Sequence, residues 1–308
     1  MKFWLWNTVM CLFIICVASS HSKRSRPLAL LRRRIIMLHP HKTGGSSVCR
    51  FFAALTTVSH SGNCLCKYKH ASLAEAARWM GANNVSFCNI EHAHQVPAPE
   101  EVLTAHVLSG TDPARAADLP NVLVTLREPW STYTSNYRRS YHDAVKRCPD
   151  RNFSDFSLRR WMQTPKNVKK KEWCGAQIWE STPVPNFLVR FLSGHKHGAT
   201  TGDHLEKAKT MLNASAIVFV EDTDSNKMRV IRSLLQPDEV ARTPHSFPHV
   251  SNSACSQMRK RSSSHAACHP SSLSPDNMNA SWQEWAEQNQ LDIQLYAWAW
   301  RRRGINHS

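Results

Sequence analysis

The stretch RIIMLHPHKTGGSSVCRFFAAL, residues 34–55, carries the patterns of a strand, a turn and a helix in succession. Residues 34–38 are a short β-branched, apolar run, which is typical of a buried parallel strand. Beyond the two glycines, apolar residues recur at the i, i+3, i+4, i+7 spacing of one helix face: Val48, Phe51, Phe52 and Leu55. The stretch therefore predicts a strand, a glycine turn and a helix that begins near Ser46.

The same order of patterns recurs along the chain. The run NVLVTL (121–126) precedes a helical segment with Pro129 in its first turn, where a missing N–H costs little. The run AIVFVED (216–222) lies between the helical segments DHLEKAKTML and NKMRVIRSLL, and a Trp-rich helix is predicted over 281–303. Alternating strands and helices predict an α/β fold with a parallel sheet and helices on both faces, as one domain over residues 34–308.

Composition and charge restrict the class of protein. The chain has 308 residues, is 42% hydrophobic and contains 11 Trp, which is typical of a globular protein. Its formal net charge is +16, which predicts an acidic partner such as nucleic acid, an anionic membrane or a sulfated or carboxylated polymer. Charge alone does not choose among these partners.

The N-terminus indicates the secretory pathway. The apolar run 3–18 is shorter than the roughly 20 residues that span a bilayer. It suits a signal peptide over residues 1–20 or, alternatively, a signal anchor that attaches a luminal domain to the membrane. Residues 21–33 then form a short basic stem.

Cysteines and glycosylation sequons agree with this compartment. Eight cysteines follow the leader, an even number that favours disulfides, and our local pairings are Cys148 with Cys174 and Cys255 with Cys268. No cysteine spacing favours zinc. N-x-S sequons begin at five positions: Asn84, Asn152, Asn213, Asn279 and Asn306. A nuclear or cytosolic nucleic-acid binder is therefore not expected.

The turn of the opening stretch has the chemistry of an anion site. A helix N-terminus after a glycine turn offers backbone N–H groups and the positive end of the helix dipole. Lys42 adds a charge, and Ser46 and Ser47 add hydroxyl groups. An ordinary turn that needs glycine for its backbone angles is the alternative. The nucleoside-triphosphate P-loop is excluded because the lysine of that motif follows its glycines, whereas Lys42 precedes Gly44 and Gly45.

The order Lys-Thr-Gly-Gly-Ser resembles the 5′-phosphosulfate loop of the Golgi carbohydrate sulfotransferases, similar to the heparan sulfate and galactose enzymes. These enzymes use 3′-phosphoadenosine 5′-phosphosulfate (PAPS) as sulfate donor. A second motif of that family, which grips the 3′-phosphate, resembles LREPWSTYTSNYRR (126–139) with Arg127 and Ser135. Further segments resemble the family in the same order: IEHAH (90–94), NFLVRFLSG (186–194), LEKAKTMLNASAIVFVED (205–222) and LDIQLYAWAW (291–300).

The resemblance implies a P-loop-like sulfotransferase fold and a set of site residues, without a metal. The residues implied to bind the donor are His41, Lys42, Thr43, Gly44, Gly45, Ser46, Ser47, Arg127, Ser135 and Arg138. Lys42 is also expected to stabilise charge on the leaving oxygen. A catalytic histidine is implied between the two motifs, and its candidates are His92, which we favour, His94 and His106. All three are alternatively structural.

The expected activity is sulfuryl transfer to a hydroxyl of an acidic or neutral glycan in the Golgi lumen or at the Golgi membrane. Alternatives are transfer to protein tyrosine or a small molecule, or a secreted glycan-binding protein without turnover. The basic residues Lys146, Arg147, Lys166 and 169–171 suit a cleft for an acidic glycan or a solvated loop. Trp161 and Trp173, which flank part of this run, are expected mainly in core packing.

Overall fold

The computed structural model describes residues 31, 33–58, 64–66, 72–91, 96–112, 118–151, 157–164, 174–175, 184–195, 197–248 and 275–302, with side chains of 275–280 excepted. Its strands are β1 (Ile35–Leu38), β2 (Phe87–Ile90), β3 (Asn121–Leu126) and β4 (Ala216–Phe219). Its helices are α1 (Gly45–Ala53), α2 (Leu73–Ala82), α3 (Pro99–Thr111), α4 (Pro129–Arg147), α5 (Leu158–Gln163), α6 (Phe187–Ser193), α7 (Gly202–Asn213), α8 (Asp224–Arg232), α9 (Pro237–Val240), α10 (Pro275–Gln288) and α11 (Gln290–Arg302).

The four strands form one parallel sheet in the order β2-β1-β3-β4. Ile35 of β1 pairs with Phe87 of β2 and with Asn121 of β3, and Leu123 of β3 pairs with Ala216 of β4. From β1 the chain continues to β2 on one side of it and later returns to β3 on the other side. The loops that follow β1 and β3 therefore diverge and leave a crevice between them. The α/β fold with a parallel sheet is therefore confirmed.

Helices cover both faces of the sheet. Ile36 and Leu38 belong to one buried cluster with residues of α2, α3, α6, α7 and α11. Ile35 and Met37 belong to the opposite cluster, with residues of α1 and α8. Successive side chains of a strand point to opposite faces, so an unbroken apolar strand such as IIML requires a core on each side.

A smaller cluster lies beneath helix α4. Trp161 is fully buried there, and its ring contacts those of Tyr133 and Tyr137 at centroid distances of 5.1 and 5.6 Å. The expected packing role of Trp161 is confirmed. Trp173 and the lysines at 166 and 169–171 lie outside the described residues.

The C-terminal segment is two helices, so the prediction of one helix over 281–303 is wrong. The break falls at Asn289, whose side-chain oxygen accepts from the Asn186 N–H at 2.9 Å. In return, the side-chain oxygen of Asn186 accepts from the Leu291 N–H at 2.9 Å. Asp292 caps α6 by accepting from the Leu188 and Val189 N–H groups. These polar groups satisfy the helix ends that the break exposes.

Three disulfides link described cysteines. Cys148–Cys174 confirms one local pairing, and the other two are Cys49–Cys64 and Cys66–Cys88. The predicted pair of Cys255 and Cys268 lies outside the described residues. The three disulfides indicate an oxidising environment of the secretory type.

The leader at 1–20 also lies outside the described residues, together with most of the stem at 21–33. Leu31 within that stem is buried, and its N–H donates to the Ser86 hydroxyl at 3.0 Å, so packing against the sheet includes this residue. Among the helices of the described ranges, none has the length and apolar character needed to cross a membrane.

Candidate anion-binding site at the carboxyl ends of the strands

Two loops meet at the crevice between β1 and β3. The first, residues 39–44, joins β1 to α1, and the second, Arg127 and Glu128, joins β3 to α4. A hydrogen bond of 2.8 Å between the hydroxyls of Thr43 and Thr125 ties the first loop to β3. Arg127 Nη1 lies 3.4 Å from the carbonyl oxygen of Lys42. The crevice is therefore built from both sequence motifs, which the fold brings together.

The first loop is held in a tight turn by its own backbone. Lys42 has φ 69° and Gly44 has φ 81°, both in the left-handed region that favours glycine. A Cβ atom on Gly44 would lie 3.1 Å from a methyl group of Val220. The Thr43 hydroxyl donates to the Pro40 carbonyl at 2.7 Å, so this predicted donor-binding side chain shapes the loop.

The N-terminus of α1 faces the same loop. The first N–H groups of a helix have no acceptor within the helix. The Gly45 N–H donates to His39 Nε2 at 3.0 Å. Ser46 and Ser47 are half-buried beside it. The positive end of the helix, two serine hydroxyls and the nearby Lys42 together form a set of donors suited to an anion.

Three cations act on one another in the crevice. Burial of Lys42, followed by the positive charges of Arg139 and Arg127, lowers the pKa of its ammonium group from 10.5 to about 8. The carboxylate of Glu91 acts in the opposite direction. Concentrated positive charge that lowers the pKa of a lysine is relieved when an anion binds.

Glu91 directly follows β2 and is the acidic member of the site. Its carboxylate lies 3.1 Å from His39 Nδ1 and 3.9 Å from His41 Nδ1, and both histidines are buried. Burial by itself raises the pKa of Glu91. The hydrogen bond from His39, the nearby imidazole of His41 and a contact with Asn89 outweigh this, so the pKa of Glu91 is lowered. Glu91 is therefore ionised at neutral pH.

Arg127 is oriented by groups from the other side of the crevice. Its Nε lies 3.7 Å from a carboxylate oxygen of Glu221, which also accepts from the Glu128 N–H at 3.2 Å. The Tyr296 hydroxyl donates to the second oxygen of Glu221 at 3.2 Å. One end of the guanidinium group is thus held by protein, while 30% of the side chain remains exposed.

Helix α4 presents the remaining residues of the second motif. The side chain of Glu128 caps this helix by accepting from the Trp130 and Ser131 N–H groups. Ser135 is half-buried in the second turn, and Arg138 is exposed. The cation of α4 whose charge acts on Lys42 is Arg139, the neighbour of the predicted Arg138.

One of the three candidate histidines, His106, lies within the described residues. His92 and His94 lie outside the described residues. His106 is exposed on α3 and lines a cavity with Asn121 and Val122, the first residues of β3. This is the amino end of the strand, about 15–20 Å of extended chain from Arg127. The structure therefore separates His106 from the anion-binding loop.

Several members of the site were not among the predicted donor-binding or catalytic residues, although Glu91 lies in the segment IEHAH, where the sequence suggested it as a residue that orients a neighbouring group. His39 and Glu91 are the first residues after β1 and β2, and the carboxyl ends of adjacent parallel strands meet at one edge of the sheet. That position was the available signal for both. Arg139 and Glu221 gave no comparable signal, because their contribution depends on the packing of α4 and on the loop after β4.

A small cavity of about 30 Å³ lies beside the loop, lined by Thr43, Arg127, Tyr133, Phe187 and Trp285, among others. This volume is far below the roughly 300–1,000 Å³ of small-molecule sites, so the cavity by itself has no room for a ligand ring. Among the described residues, no group of three or more His, Cys, Asp or Glu side chains is arranged to hold a metal ion.

Comparison with models of protein families finds no match for this chain, and no curated protein is significantly similar to it. The fold and the site therefore define the class of the protein. It is an α/β protein with a parallel sheet and a cationic loop at the crevice between β1 and β3.

Proposed function

We propose that the protein is a PAPS-dependent carbohydrate O-sulfotransferase. The observation that carries the proposal is the convergence of Lys42, Arg127 and Arg139 on a glycine turn at the N-terminus of α1. A donor with a 5′-phosphosulfate and a 3′-phosphate requires two separate anion contacts. The loop after β1 supplies one contact, and Arg127 with Ser135 supplies the other.

PAPS provides an activated sulfuryl group whose bridging oxygen departs with the nucleotide phosphate. In the proposed reaction the acceptor hydroxyl oxygen forms a bond to sulfur as the bond to the bridging oxygen breaks. Lys42 donates a hydrogen bond to the oxygen that leaves, and the loop N–H groups stabilise the same charge. Arg127 and Ser135 hold the 3′-phosphate, which fixes the donor against the loop.

The proton of the acceptor hydroxyl requires a base near the end of β2. His92 is the predicted base and His94 lies two residues further along the chain; in sequence both follow Glu91, the first residue after that strand. Glu91 is a second candidate, because it is an ionised carboxylate whose charge acts on Lys42. Transfer by Glu91→Gln and His92→Ala, measured beside retained nucleotide binding, separates the two candidates.

The acceptor class is proposed from charge and compartment. A net charge of +16 favours an acidic polysaccharide, and the disulfides agree with a luminal enzyme of the secretory pathway. A glycan with a neutral acceptor sugar, protein tyrosine and small molecules are alternative acceptors. A glycan-binding protein without turnover would bind the donor but transfer no sulfate.

The test is incubation with radiolabelled donor and a panel of desulfated polysaccharides, a tyrosine peptide and a phenol, followed by disaccharide analysis. Lys42→Ala is expected to reduce transfer about 100- to 1,000-fold, the usual cost of losing one donor to a developing anion. Arg50→Ala, which removes an exposed cation from α1, is the matched control. Full transfer by folded Lys42→Ala would refute the assignment of the loop.

A further inference from the structure

His39 occupies the junction between the anion-binding loop and the end of β2. It is the first residue after β1, and it is buried with 6% of its surface exposed. The proposed reaction assigns it no contact with donor or acceptor. Its two ring nitrogens nevertheless contact two different parts of the site, the Gly45 backbone and the Glu91 carboxylate.

The two contacts define the protonation of the ring. The Gly45 N–H is only a donor, so His39 Nε2, which lies 3.0 Å from it, must carry no proton. Nδ1 then carries the ring proton and donates it to Glu91 Oε1 at 3.1 Å. A doubly protonated ring would place two N–H groups against each other at Gly45. The geometry therefore requires a neutral imidazole in the Nδ1–H form.

The ring is also packed against the turn. A Cβ atom added to Gly45 would overlap the ring atoms of His39, so only glycine leaves room for the ring in this position. The turn and the imidazole thus fix each other. A displacement of the ring would move the first residue of α1 and, with it, the donors that the helix end presents.

The second contact orients the charge that faces Lys42. Glu91 is the acidic group whose charge raises the pKa of Lys42 against the effects of burial, Arg139 and Arg127. Asn89 contributes a weaker contact to Glu91 at 3.5 Å, so the hydrogen bond from His39 is the shorter one. The imidazole of His39 therefore holds Oε1 of the Glu91 carboxylate relative to the loop, while His41 Nδ1 lies 3.9 Å from the other oxygen.

We propose that His39 is a positioning residue that couples the anion-binding turn to the Glu91 carboxylate through one neutral, Nδ1-protonated imidazole. Only the expected effect of His39 on sulfuryl transfer rests on the proposed function. The coupling of the turn to Glu91 stands on the contacts of the ring. The residue acts through Gly45 at one nitrogen and through Glu91 at the other, without touching the reacting atoms.

The two roles can be separated by two substitutions. His39→Gln places an amide near the position of Nε2, where its oxygen can accept from Gly45, but it removes the donor to Glu91. His39→Asn places an amide near Nδ1, where its nitrogen can donate to Glu91, but it removes the acceptor for Gly45. Each variant therefore keeps one contact and loses the other.

The measurements are calorimetric binding of adenosine 3′,5′-bisphosphate, steady-state sulfuryl transfer and the ¹⁵N spectrum of the His39 ring. We expect His39→Asn to weaken bisphosphate binding about 2- to 10-fold, the range for loss of one hydrogen bond. We expect His39→Gln to bind the bisphosphate within about twofold of the wild type and to lower kcat about tenfold. The wild-type ring should show a protonated Nδ1 and an unprotonated Nε2.

Equal losses of binding and of transfer in both variants would overturn the proposal, because a ring that only fills space has no separable roles. A ring protonated at Nε2 near neutral pH would overturn it without any variant, even if the variants do not fold. Wild-type protein that shows the expected ring spectrum but transfers no sulfate refutes the proposed function and leaves the coupling of the turn to Glu91 supported.

Discussion

Replacement of Lys42 by methionine is expected to stabilise the folded protein while it removes the cation of the loop. Methionine has nearly the same length and no charge, so the substitution keeps the packing of the side chain and removes its ammonium group. In the folded state that group is buried beside Arg139 and Arg127, which lowers its pKa from 10.5 to about 8. The unfolded chain imposes no such cost on the charge.

The magnitude follows from that difference in pKa. A pKa that falls from 10.5 to about 8 on folding corresponds to about 3 kcal/mol of unfavourable free energy when the lysine is protonated. The folded state binds the proton less tightly, so the cost is present below pH 8 and fades as pH rises toward 10.5. Lys42→Met should therefore raise the free energy of unfolding by up to about 3 kcal/mol at pH 7, and by about 1 kcal/mol at pH 9.5.

Chemical denaturation of wild type and variant from pH 6.5 to 9.5 measures this difference. Lys207→Met, which removes an exposed lysine from α7, is the matched control and should change stability by less than about 0.5 kcal/mol. The variant should also lose binding of adenosine 3′,5′-bisphosphate. A Lys42→Met protein that is less stable than wild type at pH 7, or whose advantage grows with pH, would refute the charge arrangement inferred for the crevice.

Three further outcomes are expected. Bisphosphate binding near pH 8 should be accompanied by proton uptake, because the anionic ligand raises the pKa of Lys42. Calorimetry in buffers of different ionisation enthalpy measures the number of protons taken up, and proton release would contradict the prediction. Gly45→Ala should lower stability by about 1–3 kcal/mol and weaken bisphosphate binding, because its Cβ overlaps His39; unchanged affinity in titration would argue against the turn. Protein from a eukaryotic host should lose mass on N-glycan removal, and glycans on the exposed Asn84 and Asn213 should account for part of that loss. If the variant with Gln at both positions loses the same mass as wild type, neither site is glycosylated.

The layers of the fold were accessible from the sequence because their signals are local. Residues 34–38 and 121–126 are apolar on both strand faces, and helical spacing follows each of them. The carboxyl ends of parallel strands lie at one edge of the sheet, which already directed attention to Lys42 and Arg127. The break in the C-terminal helix has no local signal of this kind. It depends on a hydrogen bond between Asn289 and Asn186, which are about 100 residues apart.

The cysteine pairs illustrate the same limit. Cys148 and Cys174 close one loop of the chain, and proximity in sequence was enough to predict their pairing. Cys64 and Cys66 are separated by one residue but pair with α1 and β2 respectively. Residues i and i+2 of a regular extended segment share a face, but Cys64 has φ 56° and departs from that conformation. Only the packing of that segment between the two elements decides which cysteine meets which partner.

The sequence by itself determined the α/β architecture, the glycine turn, the cation before it and the second basic motif, because each depends on residues within about one element of one another. Tertiary structure alone decided the chemical state of the site. The order of the strands decides which groups become neighbours. It brings His39 next to Glu91 and separates His106 from the loop, and the packing of α4 places the charge of Arg139 near Lys42. Electrostatic and hydrogen-bonding energies depend on distances of a few ångströms between groups that the chain places 50 or more residues apart, and no local pattern encodes those distances.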